Sequence, residues 1–406
     1  MYDWLERATK RRPDTLALEA VGDRSLTYAQ LRDAAAGAEQ LEQAGVAAGQ
    51  PIHLRGGGAE FAISLHATLL LGAAAVPVDQ RLSEEEQRLR DIDGDLPYPD
   101  VATVMFTSGT TSAPKPVYLT LRNWEANALG SALALGLDLN ERWLCVMPLA
   151  HVGGLSILLR STLYASTVVL HERFDTEAVL AELMDPARAI TLVSLVPTML
   201  ARLLDAGLHN PPTLRWVLLG GGPIPPGMLA RAAAAAVPVA PTYGMTEGCS
   251  QIATFGLPLH GVELQVEDGE VVVRGPNFAR SALDRDGWLR TGDLGEIDER
   301  GRLRIVGRKS DTIVSGGENV APAEVEAVLL EHPAVADAGV FARADREWGE
   351  RVVAAVVLRD DLAATPAELQ NFVGARLARF KVPKEIEFSD ALPRTVSGKL
   401  LRRQLV

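Results

Sequence analysis

The chain has 406 residues, 47% hydrophobic and 23% charged, the balance of a folded globular protein too long for one ordinary core. Its formal net charge of −12 argues against a general nucleic-acid binder, because phosphate backbones are held by clustered Lys and Arg. Two cysteines, Cys145 and Cys249, exclude a disulfide framework, and no uncharged apolar run reaches the roughly 18 residues of a membrane span. The expectation is a cytoplasmic protein with no membrane insertion.

The first residues, Met1–Glu6, lack the basic-then-apolar order of a secretory signal. Thr27 and Gln30 have capping-box spacing, and Leu31, Ala34, Ala35, Ala38 and Leu41 follow at helical spacing up to Gly45. Ile52–Leu54 reads as a strand, Glu60–Leu71 as a helix stopped by Gly72, and Ala73–Val78 as a buried strand. Later, the strand Trp216–Leu219 leads through a Gly/Pro loop to an Ala-rich helix ending near Ala236, then to a strand at Val237–Val239. Such alternation predicts an α/β fold with parallel sheets flanked by helices. Near residue 260 the pattern turns β-rich. Asp268-Gly269 joins two strand candidates as a hairpin, and Leu303–Val306 is another short strand. Beyond Gly307 lies a unit of about a hundred residues, a common domain size. It has helices at Ala323–Glu331 and after Thr365-Pro366-Ala367-Glu368, and strands at Val335–Phe341 and Val352–Leu358. The expected division is a large N-terminal domain, 1–307, with a β-rich subdomain, and a small mobile α+β domain, 308–406.

One polar loop follows the strand candidate Val101–Met105. It reads Phe106-Thr107-Ser108-Gly109-Thr110-Thr111-Ser112-Ala113-Pro114-Lys115. Hydroxyls and backbone N–H groups on a turn can wrap phosphate oxygens, and Lys115 adds a compact charge. It is not a Walker loop, since no Gly precedes Lys115 and Pro116 follows it. Composition alone also leaves an ordinary turn open.

The string Thr-Ser-Gly-Thr-Thr-x-x-Pro-Lys resembles the phosphate loop of the adenylate-forming enzymes: acyl-CoA synthetases, peptide-synthetase adenylation domains and luciferases. Further matches follow in order. They are Tyr243-Gly244-Met245-Thr246-Glu247, Gly269–Pro276, Trp288–Asp293, Gly307-Arg308-Lys309-Ser310-Asp311, Ser315–Val320 and Pro393–Lys399. The resemblance spans essentially the whole chain. It implies ATP-dependent activation of a small-molecule carboxylic acid as an acyl-adenylate, with Mg²⁺ as cofactor, and transfer to the thiol of CoA.

The resemblance also assigns roles. Thr107, Ser108, Gly109, Thr110, Thr111 and Lys115 would hold phosphates. Gly220, Gly221 and Gly222 would let backbone approach the nucleotide, though a plain strand-to-helix turn fits them too. Tyr243 would lie against the adenine, with core packing the alternative for its ring, and Gly244 and Thr246 would join the ATP site. Glu247, with Thr111, would hold the metal. Asp293 would bind the ribose hydroxyls and Arg308 the same sugar. Lys399 would bring positive charge to the reacting carboxylate, and Ser310 would be the hinge between two orientations of the C-terminal domain. Gly316 and Gly317 would line the CoA path or simply form a turn. His151, in Pro148–Leu155, would gate the acid pocket or bind a carboxylate, unless it is a packed core histidine.

Ser112 and Pro116 stand where the family commonly has Gly. If those positions need positive φ, Pro116 cannot comply and the loop must hold phosphate differently. The stretch between Val78 and the loop is also short for the family. Within it, Ser194–Leu200, Leu218–Pro223 and Ser315–Asn319 most resemble the o-succinylbenzoate–CoA ligases of menaquinone synthesis. The alternatives are other aryl- or medium-chain acyl-CoA ligases, an enzyme loading a carrier protein, and a non-catalytic binding member. Oligomeric state, a homo-oligomer included, is left open.

Overall fold

The computed structural model describes residues 2–37, 47–92, 94–107, 114–225, 227–394 and 400–405. Four sheets order them. The largest has nine strands. Its central strands run parallel in the spatial order Val239–Met245, Trp216–Leu219, Leu192–Leu195, Arg142–Cys145, Thr167–Leu170 and Leu16–Ala20. Antiparallel strands extend it at both ends: Ser250–Thr254 and Leu257–Pro258 at one, Ser25–Thr27 at the other. Thr167–Leu170 and Leu192–Leu195 are buried at every position, so they read as nearly continuous apolar runs rather than alternating ones.

Alternate side chains still serve opposite faces. Trp143, Cys145, Val168 and Leu170 pack in one core with Leu155, Leu158 and Leu159 of the helix Val152–Tyr164. Leu144, Val169, Val193 and Leu195 pack in a second core with Leu200, Leu203 and Leu204 of the helix Pro197–Asp205. Each such Val or Leu contributes about 1.5–3 kcal/mol on burial, which makes this doubly covered sheet the rigid frame of the molecule.

A second sheet holds Pro51–Leu54, Ala74–Pro77 and Val101–Thr107 in parallel, with Lys115–Thr120 antiparallel at its edge. A third is antiparallel throughout: Glu263–Glu267, Glu270–Arg274, Leu289–Ile297 and Leu303–Arg308. Its first turn has Asp268 at φ +49° and Gly269 at φ +78°, the left-handed pair that a two-residue hairpin requires. The fourth sheet joins Ile313–Ser315, Glu318–Val320, Val335–Asp345, Gly349–Leu358 and Glu385–Phe388. With the helices Pro322–Leu330 and Pro366–Gly374 it encloses a core drawn from residues 313–386.

Local signals hold closely. Thr27 and Thr365 cap their helices through complete capping boxes. The helix after Thr27 runs Tyr28–Ala36, and its expected end at Gly45 lies outside the described residues. The strand expected at Val237 begins instead at Val239, because Val237 still closes the preceding helix: Ala236 turns left-handed at φ +52° and Val237 N–H donates to Ala232 O.

Pro116 is the clearest departure. It sits in a strand opposite Phe106, on the sheet edge, the place in a sheet where proline is tolerated. Positive φ is therefore not needed there.

Candidate functional site

In open parallel sheets, ligands bind beyond the carboxyl ends of the strands. His151 lies beyond Arg142–Cys145, Gly220–Gly222 follow Trp216–Leu219, and Tyr243, Gly244, Thr246 and Glu247 lie at the end of Val239–Met245 and just past it. Strand pairing therefore gathers residues that are far apart in sequence. The approach is tight. A Cβ on Gly220 would come within 2.6 Å of the Thr242 side chain, so the neighbouring strand ends admit only backbone there.

The phosphate-loop candidate closes a hairpin. Thr107 pairs with Lys115 across the strands Val101–Thr107 and Lys115–Thr120, so both stand at its mouth. Ser108, Gly109, Thr110, Thr111 and Ser112 lie outside the described residues. The short helical turn Thr246–Gly248 packs beside both hairpin strands, which brings Glu247 to the same place. Glu247 O accepts from Ala279 N–H at 2.8 Å, while its half-buried carboxylate has no hydrogen-bond or ion-pair partner among the described residues. No group of three or more His, Cys, Asp or Glu gathers among the described residues to hold a metal unaided. A free carboxylate beside these hairpin strands fits Mg²⁺, which takes one or two carboxylates and completes its shell with phosphate oxygens and water.

Asp293 is the best-defined charged group of the site. Tyr243 OH donates to its Oδ2 at 2.7 Å, and Arg308 Nε donates to its Oδ1 at 2.6 Å. Its side chain is 9% exposed, so both bonds work in a poorly solvated setting. Burial, with Asp293 adding, pushes the Tyr243 phenol above its usual range and keeps it a donor. Each carboxylate oxygen keeps a second lone pair, enough to accept one ribose hydroxyl apiece.

Beside Asp293, in the neighbouring strand, lies Glu270, which individual-residue reasoning did not single out. Its Oε1 accepts Gly292 N–H at 3.1 Å, and its Oε2 pairs with Lys309 Nζ at 3.1 Å. Lys309 opens the turn Lys309–Asp311; Asp311 at its other end pairs with Arg402 Nη1 at 2.7 Å. Ser310 thus sits between an anchor to the third sheet and an anchor to the C-terminal unit, its own hydroxyl reaching only Asp311 at 3.0 Å.

Gly316 and Gly317 form the left-handed turn between Ile313–Ser315 and Glu318–Val320, with φ +61° and +85°. Gly316 N–H donates to Trp348 O, and a Cβ there would meet the Trp348 ring at 2.8 Å. Lys399 lies outside the described residues. Its flanks do not: Arg394 and Leu400 pair in an antiparallel bridge.

His151 is the N-cap residue of the helix Val152–Tyr164, and its side chain is 45% exposed beside Arg81 and Asp79. The packed-core alternative is therefore excluded. Nine residues on, the same helix buries Arg160 at 1% exposure. Its Nη2 donates to Asn127 Oδ1, and Asn127 Nδ2 in turn donates to Gly248 O at 3.0 Å and Gln251 O at 2.7 Å. Arg160 Nε and Nη1 have no partner among the described residues. Burial lowers its pKa to about 10. The sequence signal was there to find: one Arg in the apolar run Leu155-Ser156-Ile157-Leu158-Leu159-Arg160.

Comparisons with known proteins bear on the family and the fold. The AMP-binding enzyme family matches residues 5–93 and 91–281, and the AMP-binding enzyme C-terminal domain matches 324–399. A 2-succinylbenzoate–CoA ligase of Bacillus licheniformis is 38% identical, with 99% of each chain covered. The o-succinylbenzoate CoA synthetase from Bacillus subtilis, in complex with the acyl-adenylate intermediate, superposes at a TM-score of 0.90, with 37% identity over 100% of this chain and 98% of that one. The same synthetase in complex with ATP and magnesium ion superposes at 0.88, again 37% identical, covering 99% of both. The alignment with the licheniformis ligase runs over 477 positions, more than this chain's 406 residues. The two parts of the family match meet at 91–93, which places the missing stretch before the strand Val101–Thr107. Here the short segment carrying Ile92, Leu96 and Tyr98 packs against Ala74, Val76, Val101 and Val104. By motif order, by architecture and by likeness along its length, the chain belongs to the AMP-binding enzyme family.

Proposed function

We propose that this protein is an ATP-dependent acid–CoA ligase acting on 2-succinylbenzoate through an acyl-adenylate. The observation that carries the reading is the Tyr243–Asp293–Arg308 cluster beside the unpaired Glu247, in a chain this similar to 2-succinylbenzoate–CoA ligases. In the first half-reaction a carboxylate oxygen of the acid bonds to the α-phosphorus and the bond to pyrophosphate breaks. In the second, the sulfur of CoA bonds to the acyl carbon and AMP leaves.

Asp293 and Arg308 hold the ribose, Tyr243 lies along the adenine, and Gly220–Gly222, Gly244 and Thr246 border the nucleotide. Thr107 to Thr111 and Lys115 hold the phosphates. Glu247 and Thr111 would hold Mg²⁺, which when bound neutralises phosphate charge. Lys399 steadies the charge that develops on the reacting oxygens. A boundary at 307/308 and a pivot at Ser310 agree with the separate core of residues 313–386 and with the anchors on either side of that residue. Rotation there would exchange Lys399 for the Gly316-Gly317 turn, the proposed CoA path.

With Mg-ATP, CoA and a panel of carboxylic acids, AMP and pyrophosphate release is expected to be highest in kcat/KM with 2-succinylbenzoate. No release with any acid, from folded protein, would overturn the reading. Arg308→Ala removes one of the two groups that orient Asp293. It is expected to raise KM for ATP about tenfold, the equivalent of one hydrogen bond to a charged group, with a smaller effect on KM for the acid. Equal rises in both would detach Arg308 from the nucleotide.

A further inference from the structure

His151 faces two charged groups from the loop after Ala74–Pro77. Arg81 Nη2 lies 3.2 Å from His151 Nε2, and Asp79 Oδ2 lies 3.6 Å from the same nitrogen. Arg81 is itself held by Asp79 through both carboxylate oxygens, Nε to Oδ1 at 2.7 Å and Nη2 to Oδ2 at 2.5 Å. Arg81 N–H also reaches Oδ1 at 3.1 Å, and the Asp79 side chain is only 13% exposed. The pair is thus fixed before it meets the histidine.

A guanidinium has donors and no acceptor, and it stays charged in proteins. At 3.2 Å the Arg81–His151 contact is a hydrogen bond only if Nε2 accepts. A proton on Nε2 would face the Arg81 cation and reach Asp79 at 3.6 Å, beyond hydrogen-bond range. The second ring nitrogen, Nδ1, has no partner among the described residues. We propose that Arg81, braced by Asp79, donates to His151 Nε2 and fixes the ring as the neutral tautomer carrying its proton on Nδ1. Arg81 is then a positioning residue. It leaves His151 a hydrogen-bond donor at Nδ1, and denies it the role of a base through Nε2. The assignment of that donor to an acid carboxylate rests on the proposed ligase reading; the tautomer itself does not.

The surroundings point the same way. Although 45% of the side chain is exposed, desolvation on the covered side of the ring is the first cause that disfavours its charged form. Arg81 adds to this and so does Arg90, while Asp79 opposes them. The N-terminal backbone N–H groups of the helix that His151 caps are a further positive field. The ring's pKa is accordingly lowered.

Long-range proton–nitrogen NMR on the whole chain labelled with ¹⁵N-histidine, with His151 assigned by loss of its signals in His151→Gln, tests the proposal. At pH 7 the expected pattern is a bare Nε2 and a protonated Nδ1. In Arg81→Met the cation is gone and Asp79 is left free, so the titration of His151 is expected to move up by about one pH unit. Arg81→Lys keeps a donor and a charge and is expected to restore the original pattern, which separates positioning from mere packing. A protonated Nε2 in the native chain would overturn the proposal. So would an unmoved titration in Arg81→Met that remains folded by circular dichroism; if that variant does not fold, the tautomer in the native chain and in Arg81→Lys decides. Pyrophosphate release by the native protein is scored separately. Its absence would end the ligase reading and leave the tautomer result intact.

Discussion

Lys399→Ala is expected to slow adenylate formation by about 10²–10³-fold, the usual effect of removing one aimed charge-stabilising group. Thioester formation from a supplied acyl-adenylate is expected to stay near the native rate. The asymmetry follows from the two half-reactions. The first gathers the acid carboxylate and the triphosphate at one point, so a cation lowers the barrier most there. In the second the thiol gives up its proton, its sulfur bonds to the acyl carbon and AMP leaves with the bonding electrons, with the proposed rotation having carried the lysine away. On either side of the lysine segment the described residues are held: Arg394 and Leu400 pair in a backbone bridge, and Leu400 and Leu405 both pack against Gly339, within 2.9 Å of where its Cβ would be. Single-turnover pyrophosphate release measures one half, and thioester formation from the synthetic adenylate measures the other. Equal loss in both would sink the exchange of domain faces at Ser310.

Sequence reading succeeds where the determinant is local or where motif order groups residues that the fold brings together. Thr27 with Gln30 and Thr365 with Glu368 need only a three-residue spacing. Asp268-Gly269 needs two left-handed residues, and both are there. Motif order places Tyr243, Asp293 and Arg308 in one function, and the fold brings their side chains within hydrogen-bond distance. What stays illegible depends on partners brought by the sheets. Arg81 meets His151 from 70 residues away, and Arg160 meets Asn127 across the interface of two helices. No periodicity announces either pair. Pro116 misleads for the opposite reason. A family habit at one position reads as a conformational demand, whereas an edge strand accepts proline without strain.

Arg402→Ala is expected to destabilise the C-terminal unit by about 3 kcal/mol, the lower end for stripping one partner from a buried ion pair. Arg402 Nη2 donates to both oxygens of Glu326, at 2.8 and 2.7 Å, Nη1 holds Asp311, and Nε reaches Val340 O at 3.2 Å. Glu326 also accepts Val340 N–H at 2.8 Å and is 11% exposed in its side chain. Burial raises its pKa, with the Arg402 charge acting against that rise. The sign of the pH effect follows. A carboxylate whose folded pKa lies above its unfolded value binds more protons in the folded state, so its contribution to stability falls as pH rises through that interval. Without Arg402 the interval widens upward. The loss in Arg402→Ala is therefore expected to be largest at pH 8 and to shrink toward pH 5, as Glu326 takes up a proton. Glu326→Gln in the Arg402→Ala background removes the uncompensated charge and is expected to return most of the stability at pH 8. Urea unfolding followed by the fluorescence of Trp348, in a chain with the other tryptophans replaced by Phe, reads the unit directly. A pH-independent loss, or no recovery in the double variant, would mean that Arg402 acts through packing and Asp311 rather than through the buried carboxylate. Through its bond to Asp311, Arg402 also ties the terminal segment to the turn that holds Ser310, so any variant that loosens it is also expected to lower the rate of adenylate formation before it unfolds the chain.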